Sequence, residues 1–297
     1  MPHTQLRQLD LADSIPFGFE LIAAPADLSD LINTFFVVTA DTETLDEVMP
    51  AYSAQLMIYV EGSSDLRPDG GEVYQSQTVT FTAPLMSAAP FTMKGPAKIV
   101  GASLTPLGWH CLSGLDADAV NNCMIQGGEV LSDTEMTELN GLAQDCRNGA
   151  VPVARLCDAM ADAVRRRKGS INPEHQRFVG KVTAWLSGAL NPPLDEFYAE
   201  AGVSVRSAQR LCKRYFGVSP SRLIKRYRAI RAAMFLANPD LSDSIRSEIL
   251  DIYFDQAHLI RDIRRYTGRT PTALQKTSVL QDTLDPEAHG EGAKILR

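Results

Sequence analysis

The sequence predicts an α+β fold: a β-rich first half that ends in two helices, followed by an all-helical second half. Three observations carry this. Short runs of β-branched and aromatic residues alternate with turn signals before residue 132, apolar residues recur at helical spacing from there on, and the second half contains an internal repeat at an offset of 51 residues.

The strands come first. Phe35–Thr39, Gln55–Val60, Val73–Phe81 and Ala97–Leu104 are the candidate strands, separated by Glu61-Gly62-Ser63-Ser64, Pro68-Asp69-Gly70-Gly71 and Lys94-Gly95-Pro96. Short strands at this spacing suit a sandwich or a small barrel. Ser132-Asp133-Thr134-Glu135 then reads as a helix cap, followed by Met136, Leu139, Leu142 and Ala143 on one face. A second helix spans Val153–Lys168, with its cations at the C-terminal end where they suit the helix dipole. These features divide the chain into 1–168 (helices from about 132), a linker at 169–175, a helical domain at 176–280 and a polar, disordered tail at 281–297.

Composition excludes several classes. The chain has 297 residues, 44% hydrophobic and 22% charged, which is enough for a buried core and argues against wholesale disorder. No apolar run approaches the roughly 20 residues of a membrane helix. Met1–Gln5 begins no basic segment followed by an apolar core, so the chain is read as cytoplasmic. Five cysteines, Cys111, Cys123, Cys146, Cys157 and Cys212, are odd in number and lack Cys-x-x-Cys spacing, which argues for reduced thiols and against a structural zinc site.

The net charge of −7 conceals an asymmetry. Residues 1–175 hold 10 basic against 23 acidic residues, a net of −13, whereas residues 176–280 hold 17 against 9, a net of +8. Only the second half is suited to a polyanion.

The repeat lies in that basic half. Ser204–Pro220 (SVRSAQRLCKRYFGVSP) aligns with Asp255–Pro271 (DQAHLIRDIRRYTGRTP), so that Arg210, Arg214, Tyr215, Gly217 and Pro220 match Arg261, Arg265, Tyr266, Gly268 and Pro271. Each copy has an N-cap residue, a glycine stop and a proline just beyond. Ala208, Leu211, Cys212 and Tyr215 form the inward face of the first copy, and Leu259, Ile263 and Tyr266 that of the second. A short helical stretch at Leu194–Ala201 and a turn at Gly202 precede the first copy, which is the order of a helix-turn-helix unit. Its second helix suits a DNA major groove, where Arg reads guanine and Gln reads adenine. Arg206, Gln209, Arg210 and Lys213, with His258, Arg261, Asp262 and Arg265, are the candidate base contacts. Ser204, Arg214, Arg226, Arg264 and Arg269 are the candidate phosphate contacts. Ser221–Ala237 is a helix free of Gly and Pro that links the copies, with Leu223, Tyr227, Ile230, Met234 and Leu236 as its apolar stripe.

On these residues, together with Tyr227–Ala233 (YRAIRAA) and the Gly268-x-x-Pro271 ending, the second half resembles the DNA-binding domain of AraC/XylS transcription regulators. The resemblance implies two helix-turn-helix units on successive major grooves of duplex DNA. The first half, through Val100–Trp109 and Leu112–Leu115, loosely resembles cupin-like sensor domains. The implied chain is a cupin-like β-barrel with a helical hairpin, followed by an all-α domain with two helix-turn-helix units. The implied partners are duplex DNA, a second copy of the chain, a small-molecule effector of unknown identity and, for an activator, RNA polymerase. The family's small residue in the first helix of each unit is replaced here by Tyr198 and Glu248, and its second-turn glycine by Ile252. A β-branched residue resists positive φ, so the second turn is expected to be built differently.

Other classes find less support. His3, His110 and His175 lack His-x-His spacing, so no metal site, cofactor or enzymatic activity is expected. Trp109, Tyr52, Tyr59 and Phe81 could line an effector pocket, although aromatic residues in small barrels are mostly core. The alternatives are a module whose basic half binds an acidic protein, and a cupin-type enzyme with a vestigial DNA-binding domain.

Overall fold

The structure is a computed structural model that describes residues 17–68, 71–238 and 241–274. The tail expected to be disordered, and His3, lie outside the described residues.

The first half is one antiparallel sheet of eight strands: β1 (Phe17–Ala23), β2 (Ile32–Ala40), β3 (Thr44–Met49), β4 (Gln55–Leu66), β5 (Tyr74–Gln75), β6 (Val79–Thr82), β7 (Ala89–Leu104) and β8 (Met124–Gln126). The hydrogen-bonded order is β1-β2-β7-β4-β6-β8, with β3 on β7 and β5 on β4. Val37 faces Val100 across β2/β7, Leu45 faces Met93 across β3/β7, and Leu56 faces Ala102 across β4/β7.

The long strands explain how the sheet folds over on itself. β7 runs straight through Lys94-Gly95-Pro96, where the sequence suggested a turn, because it changes partner there from β3 to β2. β4 likewise continues through Glu61–Ser64, with register shifts around Gly62. Among the described residues no pairing between β1 and β8 closes the sheet, so the backbone does not form the closed barrel expected from the sequence.

Alternation then sorts the side chains. Phe35, Leu56, Ile58, Phe81, Val100 and Ala102 pack on the helical side, and Phe36, Val38, Met57, Tyr59, Met93 and Ile99 on the other. Trp109 and Phe81 are fully buried, edge to face at 6.4 Å, so they belong to the core.

Three helices back the sheet: α1 (Pro106–Ser113), α2 (Asp133–Arg147) and α3 (Val153–Arg167). α1 was not anticipated, although its signals are local: Thr105 caps the Gly108 amide at 3.0 Å and Pro106 is the first helical residue. The Ser132 cap is formed as expected. Ser132 Oγ accepts from the Glu135 amide while the Glu135 carboxylate accepts from the Ser132 amide at 2.9 Å. Glu135 does more than cap. It is buried, and its oxygens also accept from Arg166 at 3.0 Å and Arg167 at 2.6 Å, locking α2 to α3.

The second half is helical: α4 (Pro173–Gly188), α5 (Leu194–Glu200), α6 (Val205–Phe216), α7 (Pro220–Ala237), α8 (Asp243–Ile252), α9 (Gln256–Thr267) and α10 (Pro271–Leu274). α4 starts inside the expected linker, where the Asn172 side chain accepts from the Glu174 amide at 2.8 Å. Leu211, Cys212, Tyr215 and Phe216 of α6 share a core with Trp109 and Leu112 of α1. α8 and α9 instead form a second core on α7, from Ala229, Ile230, Ala233, Ile249, Leu259 and Ile263.

Glu135 supplies a stability prediction. The Arg167 guanidinium, with Arg166 and Ser132, holds its carboxyl far below the usual carboxylate range. Glu135→Gln should cost about 1–3 kcal/mol in urea unfolding at neutral pH, the range for a lost charged hydrogen-bond partner. A depressed folded value means the contribution is complete above the ordinary carboxylate value of 4.5 and is lost as pH falls below it, so wild type and variant should converge in acid.

Candidate nucleic-acid interface

Two helix-turn-helix units are present, and their shared chemistry is local. Ser204 caps α6 by accepting from the Ser207 amide at 3.2 Å, and Asp255 caps α9 by accepting from the His258 amide at 2.6 Å. Each helix stops at a left-handed glycine: Gly217 at φ 77° and Gly268 at φ 74°, with amides donating to Lys213 and Arg264 carbonyls at 2.8 and 2.9 Å.

The turns differ as Ile252 requires. In the first unit Gly202 takes φ 73°. In the second the chain passes from α8 directly into extended backbone at Tyr253, φ −104° and ψ 143°, whose amide donates to Leu250 at 3.1 Å. Phe254 follows with its side chain almost wholly exposed, one residue before the Asp255 cap.

The outward face of α6 presents Arg206, Gln209, Arg210 and Lys213 together, all exposed and bordering one hollow. Tyr198 reaches this face from α5 and receives Gln209 Nε2 on its hydroxyl at 3.3 Å. Asp118, from the loop after α1, borders the same hollow.

α9 presents Arg261, Arg264 and Arg265 to solvent. Its other two candidates are engaged. Asp262 lies 3.4 Å from Arg228 Nη2 and 3.4 Å from His258 Nε2, and Arg228 stacks over the Tyr253 ring at 4.4 Å. Asp262 therefore neutralises a buried arginine of α7 and faces its own helix bundle.

Of the five phosphate candidates, Ser204 and Arg264 are exposed and the other three are held by the first half. Arg214 Nε lies 2.9 Å from Asp116 Oδ1, and Arg269 bonds Glu47 on β3. Arg226 is buried, with Nη1 on Met86 Sδ at 3.6 Å and its guanidinium over Tyr227. The sequence made Arg226 a phosphate contact, but α7 is buried along most of its length, and Arg228 and Arg231 are enclosed as well. Burial draws Arg231 down to about 10.

The two units also dock on the first half in the same way. The Ala117 amide donates to the Arg214 carbonyl at 2.7 Å, and the Ala88 amide to the Arg265 carbonyl at 2.9 Å. Arg214 and Arg265 are matching positions of the repeat. A third amide, of Ala51, reaches the Tyr266 carbonyl at 2.8 Å. Tyr215 lies at the first dock between His110 and His175, accepting or donating with His175 Nδ1 at 2.8 Å. Burial, then Arg214 and Arg210, push His175 below its ordinary value.

Behind β3 the inner face of the sheet encloses a cavity of about 140 Å³. Its walls include Phe36, Val38, Met57, Tyr59, Met93 and Ile99, with Tyr52 at one end, so two of the aromatic candidates do line it. Glu47 is the one charged lining residue among the described residues, and its carboxylate is bound to Arg269. Burial pushes the Tyr59 phenol up to about 12, and its hydroxyl pairs with Ser64. Cys157 and Cys212 are likewise pushed up to about 12 by burial, so they are unreactive packing residues.

Among the described residues no group of three or more His, Cys, Asp or Glu is arranged to hold a metal, and no helix is long and apolar enough to cross a membrane.

No curated protein matches the chain in sequence. Among solved structures, the AraC-like transcriptional activator CuxR is similar at 19% identity over 77% of this chain and 86% of its own, with a TM-score of 0.34. ToxT from Vibrio cholerae, with an unsaturated fatty acid bound, is similar at 9% identity over 82% of this chain and 96% of its own, with a TM-score of 0.45. Residues 198–277 match the family described as a helix-turn-helix domain, the span that runs from α5 past α10. Residues 198–277 thus form a helix-turn-helix domain.

Proposed function

We propose that this chain is a cytoplasmic, non-enzymatic transcription regulator that reads duplex DNA with two helices and is modulated through its first half. The observation that carries the reading is the pair of capped, glycine-stopped helices at matching repeat positions, each with an outward cationic face. Arg206, Gln209, Arg210 and Lys213 read bases from α6, and Arg261 and Arg265, with His258, read from α9. Ser204 and Arg264 hold phosphates, joined by Arg214 and Arg269 once these leave their carboxylates. Asp262 we assign to holding Arg228 and His258 in place. Burial of Arg226 sets it apart from the phosphate contacts.

The first half serves as the cupin-like sensor. Its apolar cavity is the effector site we favour, because β3 forms one wall and also touches the second unit through Glu47. Two copies pair through the α2–α3 hairpin, and RNA polymerase is a further partner if the chain activates.

Selection from random duplexes with the full chain tests this. It should enrich an asymmetric site with two blocks about one helical turn, roughly 34 Å, apart. Absence of any enriched duplex would overturn the reading. Arg210→Ala should weaken binding to the selected site by about 1–3 kcal/mol and relax preference at one position, as expected for a bidentate guanine contact. Equal loss on all duplexes would make Arg210 a phosphate contact instead. Asp262→Ala should act differently: by stranding the buried Arg228 it should lower thermal stability by about 1–3 kcal/mol, whereas Arg261→Ala should leave the unfolding midpoint in place.

A further inference from the structure

We propose that the acidic first half is an intramolecular phosphate surrogate: the Asp116 and Glu47 carboxylates occupy the guanidiniums of Arg214 and Arg269, one in each helix-turn-helix unit, and DNA must displace both. This rests on the DNA-binding reading given above.

Four observations support it. First, the carboxylate on each arginine comes from the opposite half of the chain. Asp116 Oδ1 and Oδ2 lie 2.9 and 3.1 Å from Arg214 Nε, and Glu47 bonds Arg269. Second, each ion pair sits beside a main-chain bond. Ala117, adjacent to Asp116, donates to the Arg214 carbonyl, and Ala88 donates to the matching Arg265 carbonyl four residues before Arg269. The main-chain bonds thus fall at equivalent places in the two units, and each has an ion pair close by: at Arg214 itself in the first unit and four residues on, at Arg269, in the second. Third, both glycine stops are packed against the first half. A Cβ on Gly217 would lie 2.4 Å from Met86 Cε, and one on Gly268 would lie 2.2 Å from Val48 Cγ1. Fourth, the loop that carries Asp116 also brings Asp118 to the hollow bordered by Arg206, Arg210 and Lys213.

The chemistry is an exchange. Both a carboxylate and a phosphate offer oxygen pairs to a guanidinium fork, so the two compete for one geometry. His110 steadies the surrogate at the first unit, with Nδ1 3.2 Å from the Leu115 carbonyl and 3.6 Å from Asp116 Oδ1. At the second unit the carboxylate belongs to β3.

The test is a binding cycle on the full chain with the selected duplex. Asp116→Asn with Glu47→Gln should tighten binding about three- to tenfold, the range that two partly exposed ion pairs allow. The gain should vanish when Arg214→Ala and Arg269→Ala are added, because the coupling belongs to those pairs. Asp41→Asn with Glu61→Gln removes two exposed acids, one after β2 and one on β4, away from the docks and from the α2–α3 hairpin, and should give no such gain. An equal gain from that control would mean general repulsion between the acidic half and DNA, and would overturn the surrogate. Unchanged or weaker binding by the Asp116/Glu47 variant would overturn it as well. If Glu47→Gln disturbs the sheet, Asp116→Asn alone, in a loop outside it, should still tighten binding and lose that gain with Arg214→Ala. Failure of wild type and variant alike to bind any duplex would overturn the DNA reading itself, and binding by the variant alone would support the surrogate.

Discussion

A helix ends with four carbonyls that have no partner inside it, and the molecule is organised around how the two reading helices solve this. Gly217 and Gly268 turn the chain left-handed and fold one amide back onto each last turn. Of the carbonyls that remain, those of Arg214 and Arg265 accept from Ala117 and Ala88, and that of Tyr266 from Ala51. The first half therefore takes up part of both C-terminal ends. The N-terminal ends and outward faces, where we place the base contacts, stay open. One local requirement thus fixes which side of each unit meets the sheet and which side meets solvent.

The two units satisfy this requirement with different amounts of apolar support. α6 shares its core with α1 through Tyr215, Phe216 and Trp109, so the first unit is built onto the sheet's helical layer. α9 packs on α7 in a separate core and meets the first half through Ala51, Val48 and Glu47. Apolar burial is non-directional and grows with area, whereas a few ion pairs and main-chain bonds are worth much less when partly solvated. The second unit is accordingly the one more readily moved, and the strand it touches is also a wall of the cavity.

The reading helices were legible in the sequence because their chemistry is local. Ser204, Asp255, the two glycines and the prolines beyond them each act within four residues. Ile252 was legible for the same reason, since a β-branched residue decides its own backbone region. The sheet was less so. β7 was read as beginning only after Lys94-Gly95-Pro96 because those residues signal a turn, but a strand that exchanges one partner for another can continue through them. β1, β3 and α1 were missed: the strands draw their definition from pairing partners far along the chain. Arg226 was misplaced, and the burial of Arg228 and Arg231 beside it went unread, for a related reason. Amphipathic spacing ranks one helix face against another, but it does not reveal that α9 packs on one side and Met86 of the first half reaches another. Their burial is a tertiary fact, and Arg228 is tolerable there only because Asp262, Asn191 and Tyr253 surround it.

The charge asymmetry takes on a sharper meaning in this setting. An excess of −13 in the first half against +8 in the helical half would, at surface separations, act mainly as a screened background field that falls off over about 10 Å in ordinary salt. Direct contact changes its character. Asp116 and Glu47 are fixed at hydrogen-bond distance by main-chain docking next to each, so they select two particular guanidiniums instead of attracting the basic half as a whole. The remaining acids, most of them exposed, supply the field. The few placed at the docks supply the geometry, and geometry decides which cations of the basic half are open to a polyanion.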